Sequence, residues 1–379
     1  MRLLVVNWHD WHHPHAGGAE VHLREVALRW IEAGHRVTLL CSGEAGRPRG
    51  ETEDGIRIVR AGLRPTFNWA LPRALRRLLR EPVDLVVEDL NKIPLYLPLL
   101  AAARPTFVLA HHLFGSTAFL EANPAVASYV WLGERGLPRA YRRTPFVAVS
   151  ASTRDDLVER GIAPENVEVV HGGIRFPPPG LALRRSPHPT FTYLGRIKRY
   201  KQIELALAAF ARVLPDVPAA RFAVAGYGDH TSALAREAAR LGVADRVTFH
   251  GRTGEPEKWR ILGESWGFLY TSPKEGWGLS SVEAQAAGVP VIASDSPGLR
   301  ETLLEGRSGF LVPHGDVEAL AARMRTLAAD RDRVERMGDA ARAFAAPFTW
   351  ERSAARLLDA FERRLRWRRI EREGARAAA

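Results

Sequence analysis

Apolar and polar positions change along this chain with two different periods, and the order in which the periods alternate is regular. Leu3 to Val6 is an apolar run of strand length, followed by a loop rich in His, Pro and Gly. From Glu20 to Ala33 the apolar residues Val21, Val26, Leu28 and Ile31 recur with helical spacing, and Gly34 stops the run. Arg36–Cys41 reads as the next strand. The alternation continues through Val83–Val87, the apolar segment Ile93–Ala103, Thr106–Ala110, Phe146–Val149 with a helix from Ser152, and Val167–Val170. Apolar strands separated by amphipathic helices imply a parallel sheet covered on both faces.

The texture changes after Ile174. Phe176-Pro177-Pro178-Pro179-Gly180 and Ser186-Pro187-His188-Pro189 flank a short basic stretch that reads as a linker. A second alternating set follows. Its strands are Thr190–Leu194, Phe222–Ala225, Val247–Phe249, Gly267–Tyr270, Val289–Ala293 and Phe310–Val312. Its helices lie near Gln202–Val213, Thr231–Leu241, Glu257–Leu262 and Leu279–Ala287. Residues 316–369 read as a helical tail. The expected fold class is α/β, with two Rossmann-like, doubly wound parallel-sheet domains. The first spans residues 1–176, the second 177–349, and a helix at about 350–379 packs back on the first. A chain of 379 residues exceeds what one compact core usually holds. Ligands of such sheets sit at the carboxyl ends of the strands, so a cleft between two facing domains is the expected site.

Charge adds a partner. The formal net charge is +11, which suits an anionic ligand: nucleic acid, anionic lipid or a diphosphate-bearing small molecule. The plainer reading is solvated helix surface, since Arg73, Arg76, Arg77 and Arg80 lie close together on one predicted face. These arginines, with Arg135, Arg139, Arg142 and Arg143, are the ones that would meet an anionic membrane. The single cysteine, Cys41, excludes an internal disulfide framework and a thiolate-rich zinc site within one chain. The apolar segment Ile93–Ala103 is interrupted by Pro94 and Pro98 and falls short of the ~20 residues of a membrane span. Leu3–Val6 is too short for a signal-peptide core. The expectation is a cytoplasmic protein, with peripheral contact at the inner face of the membrane as an option.

The richest chemistry lies in Glu275-Gly276-Trp277-Gly278-Leu279-Ser280-Ser281-Val282-Glu283. Gly276 and Gly278 allow a ligand close to the backbone, and the helix that starts there offers free N–H groups to an anion. Glu275 and Glu283 would be repelled by a phosphate, so they address neutral hydroxyls of a sugar or ribose. Arg196 ends a predicted strand, and Lys201 opens the next helix. A planar guanidinium can fork across phosphate oxygens while the ammonium acts as a point charge. Gly17 and Gly18 stand at a strand-to-helix turn. Against each of these stands a bland alternative: a capped helix, surface charge, a tight turn. His9, His12, His13 and His15 lack the fixed spacing of a metal site. Asp330-Arg331-Asp332 reads as helix capping rather than a metal-binding pair.

In this order and spacing, several segments resemble glycosyltransferase family 4, the retaining enzymes of the GT-B fold. They are Thr271 through Ser294, Gly17-Gly18-Ala19-Glu20, His171-Gly172-Gly173-Ile174, Leu194-Gly195-Arg196, Gly226-Tyr227-Gly228-Asp229 and Gly309-Phe310-Leu311-Val312. The resemblance implies transfer of a hexosyl unit, of mannose or glucose type, from a nucleoside diphosphate-sugar to an acceptor hydroxyl. The donor is a substrate, and neither a cofactor nor a metal is implied. Arg196 and Lys201 grip the diphosphate. Donor contacts are expected from Gly17, Gly18, Gly226, Arg252, Glu275, Gly276, Trp277, Gly278, Leu279 and Glu283. A histidine at the end of strand Thr106–Ala110 contacts the transferred sugar; this is His111, with His112 as the alternative. The acceptor is a saccharide, a lipid-linked sugar or a small molecule. Where the family often carries Asn-Gly, this chain has His171-Gly172. Two competing readings are a GT-B-like sugar-nucleotide epimerase, which acts on the donor alone, and a module binding nucleic acid or anionic membrane. No nucleic-acid motif accompanies the second, so no nucleic-acid partner is expected.

Overall fold

The computed structural model describes residues 1–121 and 123–377. The chain divides into two units, one formed by residues 1–173 together with the segment from Thr349 onward, the other by Ile174–Phe348.

In the first unit the order is β1 (Arg2–Val6), α1 (Gly18–Glu32), β2 (Arg36–Gly43), β3 (Gly50–Glu53), β4 (Ile56–Leu63), α2 (Phe67–Leu78), β5 (Leu85–Leu90), α3 (Leu97–Leu100), β6 (Thr106–Ala110), α4 (Ala118–Glu121), α5 (Pro124–Arg135), α6 (Leu137–Ala140), β7 (Phe146–Ala148), α7 (Ala151–Glu159) and β8 (Val167–Val169). The strands lie in the order β3-β4-β2-β1-β5-β6-β7-β8. All pairs are parallel except β3 with β4. The wholly parallel sheet expected from the pattern is therefore mixed at one edge. Asp54 (φ 48°) and Gly55 (φ 82°) make the turn between these two strands, and positive φ at both central residues is what a tight two-residue hairpin needs. The strand expected at Val83–Val87 runs instead from Leu85 to Leu90 and takes Glu88 and Asp89 into the core. Apolar patterning stops at the first carboxylate, whereas the fold gives Glu88 the Tyr141 hydroxyl and two backbone N–H groups, and one oxygen of Asp89 the His111 ring. Of the apolar segment Ile93–Ala103 only Leu97–Leu100 is helical.

The second unit runs β9 (Thr190–Leu194), α8 (Ile203–Val213), β10 (Arg221–Ala225), α9 (Thr231–Arg240), β11 (Val247–Gly251), α10 (Glu255–Glu264), β12 (Gly267–Tyr270), α11 (Leu279–Ala286), β13 (Val291–Ser294), β14 (Gly309–Val312), α12 (Val317–Ala328) and α13 (Arg331–Ala345). Its six strands are all parallel, in the order β11-β10-β9-β12-β13-β14. The predicted tail is three helices, of which α14 (Trp350–Ala377) belongs to the first unit. There Trp30 donates its indole N–H to the Ala354 carbonyl at 3.1 Å, and Phe361 meets Trp30 and Phe107 edge-on. Residues 378–379 of the expected helix lie outside the described residues.

Each sheet has one point where the chain's direction of growth reverses, between β1 and β5 in the first and between β9 and β12 in the second. Loops leaving the two strands on either side of such a point part from each other and leave a crevice at the carboxyl edge. No helix among the described residues is long and apolar enough to cross a membrane.

Candidate functional site

In the second unit the crevice is flanked by the loop after β9, which carries Arg196 and Lys201, and the loop after β12, which carries Glu275 to Gly278. The buried Tyr193 donates its hydroxyl to the Arg196 carbonyl at 2.9 Å, fixing the backbone as it leaves β9. A single 3-10 turn, Arg199–Lys201, follows. The Thr271 hydroxyl, from the end of β12, reaches the carbonyl oxygens of Lys201 and Gln202 at 3.1 and 2.8 Å. Both loops are thereby tied together, and the Lys201 ammonium pairs with the Glu275 carboxylate. Burial works against a charge on Lys201, but the adjacent Glu275 carboxylate outweighs it and holds the ammonium well above the ordinary lysine range.

Backbone geometry sets Glu275 in place. Its N–H donates to the Pro297 carbonyl at 3.0 Å. Gly298 sits beneath with φ 82°, and a Cβ there would run into the Glu275 carbonyl oxygen. Gly278, with φ 93°, is the residue from which α11 starts. Trp277 is buried with its ring edge-on to Phe348, and Leu279 opens the helix. One turn on, Glu283 pairs at 3.0 Å with Lys258 at the start of α10, and Lys258 also holds Glu255. Burial raises the Glu283 pKa, and Lys258 opposes the rise without cancelling it. The loops after β9, β10 and β11 are laced by Gly195 N–H to Ala225 O at 3.0 Å and Gly226 N–H to Gly251 O at 2.7 Å. Arg252 lies with its guanidinium 4.0 Å from the centre of the Tyr227 ring. So Arg196, Lys201, Gly226, Arg252, Glu275, Gly276, Trp277, Gly278, Leu279 and Glu283 all lie at the carboxyl edge of one sheet. Lys258 and Thr271, which pair with or position these residues, have no role legible in the sequence: Lys258 reads as one of several charges in Glu255-Pro256-Glu257-Lys258-Trp259-Arg260, and Thr271 only as the first residue of the resembling segment.

Gly17, Gly18 and His111 belong to the first unit. Gly17 donates its N–H to the Glu20 carboxylate at 2.7 Å, which closes the start of α1. The other Glu20 oxygen takes Lys92 at 2.7 Å, and Asn91 bridges from Glu20 to Asn7. Burial opposes the Glu20 charge, but Lys92 and the Gly17 N–H outweigh it and hold this carboxyl below its usual range. His111 follows β6 directly, and its Nε2 lies 2.7 Å from the Asp89 carboxylate on β5. Burial raises the Asp89 pKa and His111 opposes the rise. His22, from α1, stands edge-on to His111 with ring centres 5.2 Å apart. His112 turns to Phe114 instead, at 4.6 Å. Asn7 Nδ2, His9 Nε2, His22 Nδ1 and Asp89 Oδ2 are buried with no hydrogen-bond partner among the described residues. The loop histidines are engaged one by one: His9 stacks on His13, His13 pairs with Glu44 and His12 with Glu53. No group of three or more His, Cys, Asp or Glu among the described residues is arranged to hold a metal ion.

Chemically, the second unit offers a guanidinium and an ammonium suited to phosphate oxygens, beside two carboxylates that accept hydrogen bonds from hydroxyls. Each carboxylate has a lysine at hand, so neither stands as an uncompensated charge.

Comparison with known proteins bears on this arrangement. Residues 16–176 match the family described as Glycosyltransferase Family 4, and residues 182–344 match Glycosyl transferases group 1. A D-inositol 3-phosphate glycosyltransferase of Streptomyces scabiei is 35% identical over 251 residues, covering 61% of this chain and 56% of that protein. The chain thus spans little more than half the length of that relative. D-inositol 3-phosphate glycosyltransferase 1 of Catenulispora acidiphila is 31% identical over 380 residues, 90% of either chain. Among solved structures, HepE of Anabaena in complex with UDP and glucose superimposes with a TM-score of 0.76 at 18% identity, over 96% of this chain and 99% of that one. The chain belongs to glycosyltransferase family 4 and carries the two Rossmann-like α/β units of the GT-B fold.

Proposed function

We propose that this glycosyltransferase moves a hexosyl unit, of mannose or glucose type, from a nucleoside diphosphate-sugar to an acceptor hydroxyl, with retention of configuration and without a metal ion. The observation that carries the reading is the convergence of Arg196 and the Lys201–Glu275 pair on the crevice of the second unit. As the bond from the sugar to the diphosphate breaks, negative charge grows on the leaving oxygens. Arg196 forks across them, Lys201 adds a point charge, and the first turn of α11 adds backbone N–H groups. In this reading the two cations do what a divalent metal would otherwise do.

Glu275 takes hydroxyls of the sugar and Glu283 those of the ribose, with Lys201 and Lys258 neutralising the carboxylates. From the first unit, His111, held by Asp89, contacts the transferred sugar, and the Gly18 amide contacts the donor, the Gly17 N–H being taken by Glu20. With no carboxylate assigned as a covalent nucleophile, the acceptor oxygen bonds to the anomeric carbon on the face that the diphosphate leaves. The acceptor proton passes to a leaving phosphate oxygen. HepE in complex with UDP and glucose makes a uridine donor the first to try.

Thermal denaturation with UDP, GDP and ADP, each with and without EDTA, tests the reading. One nucleotide raises Tm in both conditions, because a ligand that binds only the folded state stabilises it by mass action. Absence of any shift removes the donor assignment, and a shift abolished by EDTA removes metal independence.

A further inference from the structure

The surplus of positive charge is concentrated. In the first unit a groove of about 1510 Å³ runs between β4 and α2 and is bordered by the connection from β2 to β3. Six arginines on its walls, Arg47, Arg49, Arg73, Arg76, Arg77 and Arg80, make no side-chain hydrogen bond or ion pair with any described residue. Two further arginines of the lining are paired. Arg57 meets Glu81 at 2.5 and 3.1 Å, and the buried Arg60 meets Asp10 at 2.6 Å and also Glu51. The acidic lining residues are likewise engaged, Glu51 by Arg60 and Glu44 by His13 at 2.9 Å. Six guanidiniums thus line one trough without an ion pair among the described residues; Glu81, whose charge acts on Arg77, is already held by Arg57. Such crowding of like charge costs stability, and an anionic occupant offsets that cost.

Packing explains why the arginines face the trough. Helix α2 buries Phe67, Leu71, Leu75 and Leu78, one apolar stripe at helical spacing, so Arg73, Arg76 and Arg77 are left on its remaining faces, with Arg80 just beyond its end. Shape selects among anions. The lining follows β4 from Arg57 to Leu63, about 20 Å of extended strand, and the volume exceeds the roughly 300–1,000 Å³ of a small-molecule pocket. Arg47 and Arg49, on the connection from β2 to β3, line the same groove as the arginines of α2. A flat bilayer reaches only the rim of such a trough, whereas a single chain can lie along its floor. One end of the groove meets the loop that leads to Gly17 and Gly18, since Glu44 holds His13 and Arg60 holds Asp10.

We infer that this groove seats an anionic chain, a saccharide bearing repeated phosphate or carboxylate groups, as the acceptor. Its role as acceptor rests on the proposed transferase reading; its affinity for a polyanion does not.

The test is calorimetric titration of the full chain with orthophosphate, tripolyphosphate and longer linear polyphosphate. The wild type is compared with Arg47→Gln/Arg49→Gln, with Arg73→Gln/Arg77→Gln, and with a charge-matched control on α13, Arg333→Gln/Arg336→Gln. Affinity rises with chain length. Each groove variant weakens the longest chain by about tenfold, and the salt dependence falls by roughly one counterion per arginine removed. The control variant and nucleotide binding stay close to wild type. Equal losses in the control show diffuse charge and overturn the groove. Binding to phosphatidylglycerol vesicles without binding to soluble chains assigns the surface to membrane instead and overturns it too. Tighter binding of oligothymidylate than of polyphosphate of equal charge makes nucleic acid the occupant and overturns the glycan assignment. If polyphosphate binds in a groove-dependent way while no nucleotide binds, the groove stands and the transferase reading fails.

Discussion

Lys201 and Glu275, 74 residues apart in the chain, hold each other in a nearly water-free ion pair, their side chains 8% and 11% exposed. The pair exists because Thr271 draws the turn carrying Lys201 against the end of β12. In a buried site each charge is tolerated only because the other is present.

Removing one partner therefore has a cost that removing both does not. Lys201→Met is expected to destabilise by about 3 kcal/mol, since it strands the Glu275 carboxylate. The double variant Lys201→Met/Glu275→Leu should recover most of that stability in chemical denaturation while remaining inactive. Turnover returning together with stability would reduce the pair to scaffolding.

The Arg196 carbonyl accepts from the buried Tyr193 hydroxyl, which fixes its backbone as the chain leaves β9. Arg196→Ala should lower kcat/KM by on the order of 100- to 1,000-fold while Tm changes little. Arg196→Lys should fall between the two, because a point charge keeps the attraction and loses the fork. A lysine variant no better than alanine would argue that geometry, not charge, is at stake, and wild-type rates in the alanine variant would sink the diphosphate assignment.

His111 and His112 are separated by their partners. Because Asp89 binds Nε2 of His111, Asp89→Asn and His111→Ala should share one kinetic phenotype, a fall in kcat of at least about tenfold. His112→Ala should leave kcat near wild type. The opposite ranking in a side-by-side assay would move the role to His112.

Glu88 predicts a pH dependence. Its buried carboxyl accepts from the N–H groups of Leu95 and Leu97 and from the Tyr141 hydroxyl. Burial pushes its pKa from 4.5 up to about 7, with these hydrogen bonds opposing the rise. The folded state keeps a proton that the unfolded chain has released, so this stabilisation is complete below about pH 4.5 and is lost as pH rises through about 7. The stability of the wild type relative to Glu88→Gln should fall by on the order of 3 kcal/mol across that window. A difference that stays flat with pH in denaturation curves contradicts the assignment.

The sequence pattern predicts three strands residue for residue, Thr106–Ala110, Thr190–Leu194 and Gly267–Tyr270. All three are wholly buried, so the same preference for apolar side chains runs along each, interrupted only by threonines. The hairpin of β3 and β4 escaped, although Asp54-Gly55 is the dipeptide that a tight turn demands. β3 is four residues without an apolar side chain, so for it turn chemistry was the available signal; β4 is eight residues long and alternates, with Ile56, Ile58 and Arg60 buried, but the buried arginine broke the apolar pattern. β5 was cut short at Glu88 for a different reason: patterning treats a carboxylate as surface, and only packing supplies the Tyr141 hydroxyl and backbone N–H groups that make it a core residue.

By itself the chain's order of residues determined the kind and succession of elements, the positions of the glycine turns and the family. Each of these depends on neighbours within one helix turn or one strand, where burial of an apolar face decides the outcome. Which charge meets which was decided only in three dimensions. Lys201 finds Glu275, Lys258 finds Glu283 across 25 residues, and His111 finds Asp89 across 22. Electrostatic attraction in water fades within a few ångströms to about 1 kcal/mol. It becomes specific only where the sheet brings strand ends together and strips the water away.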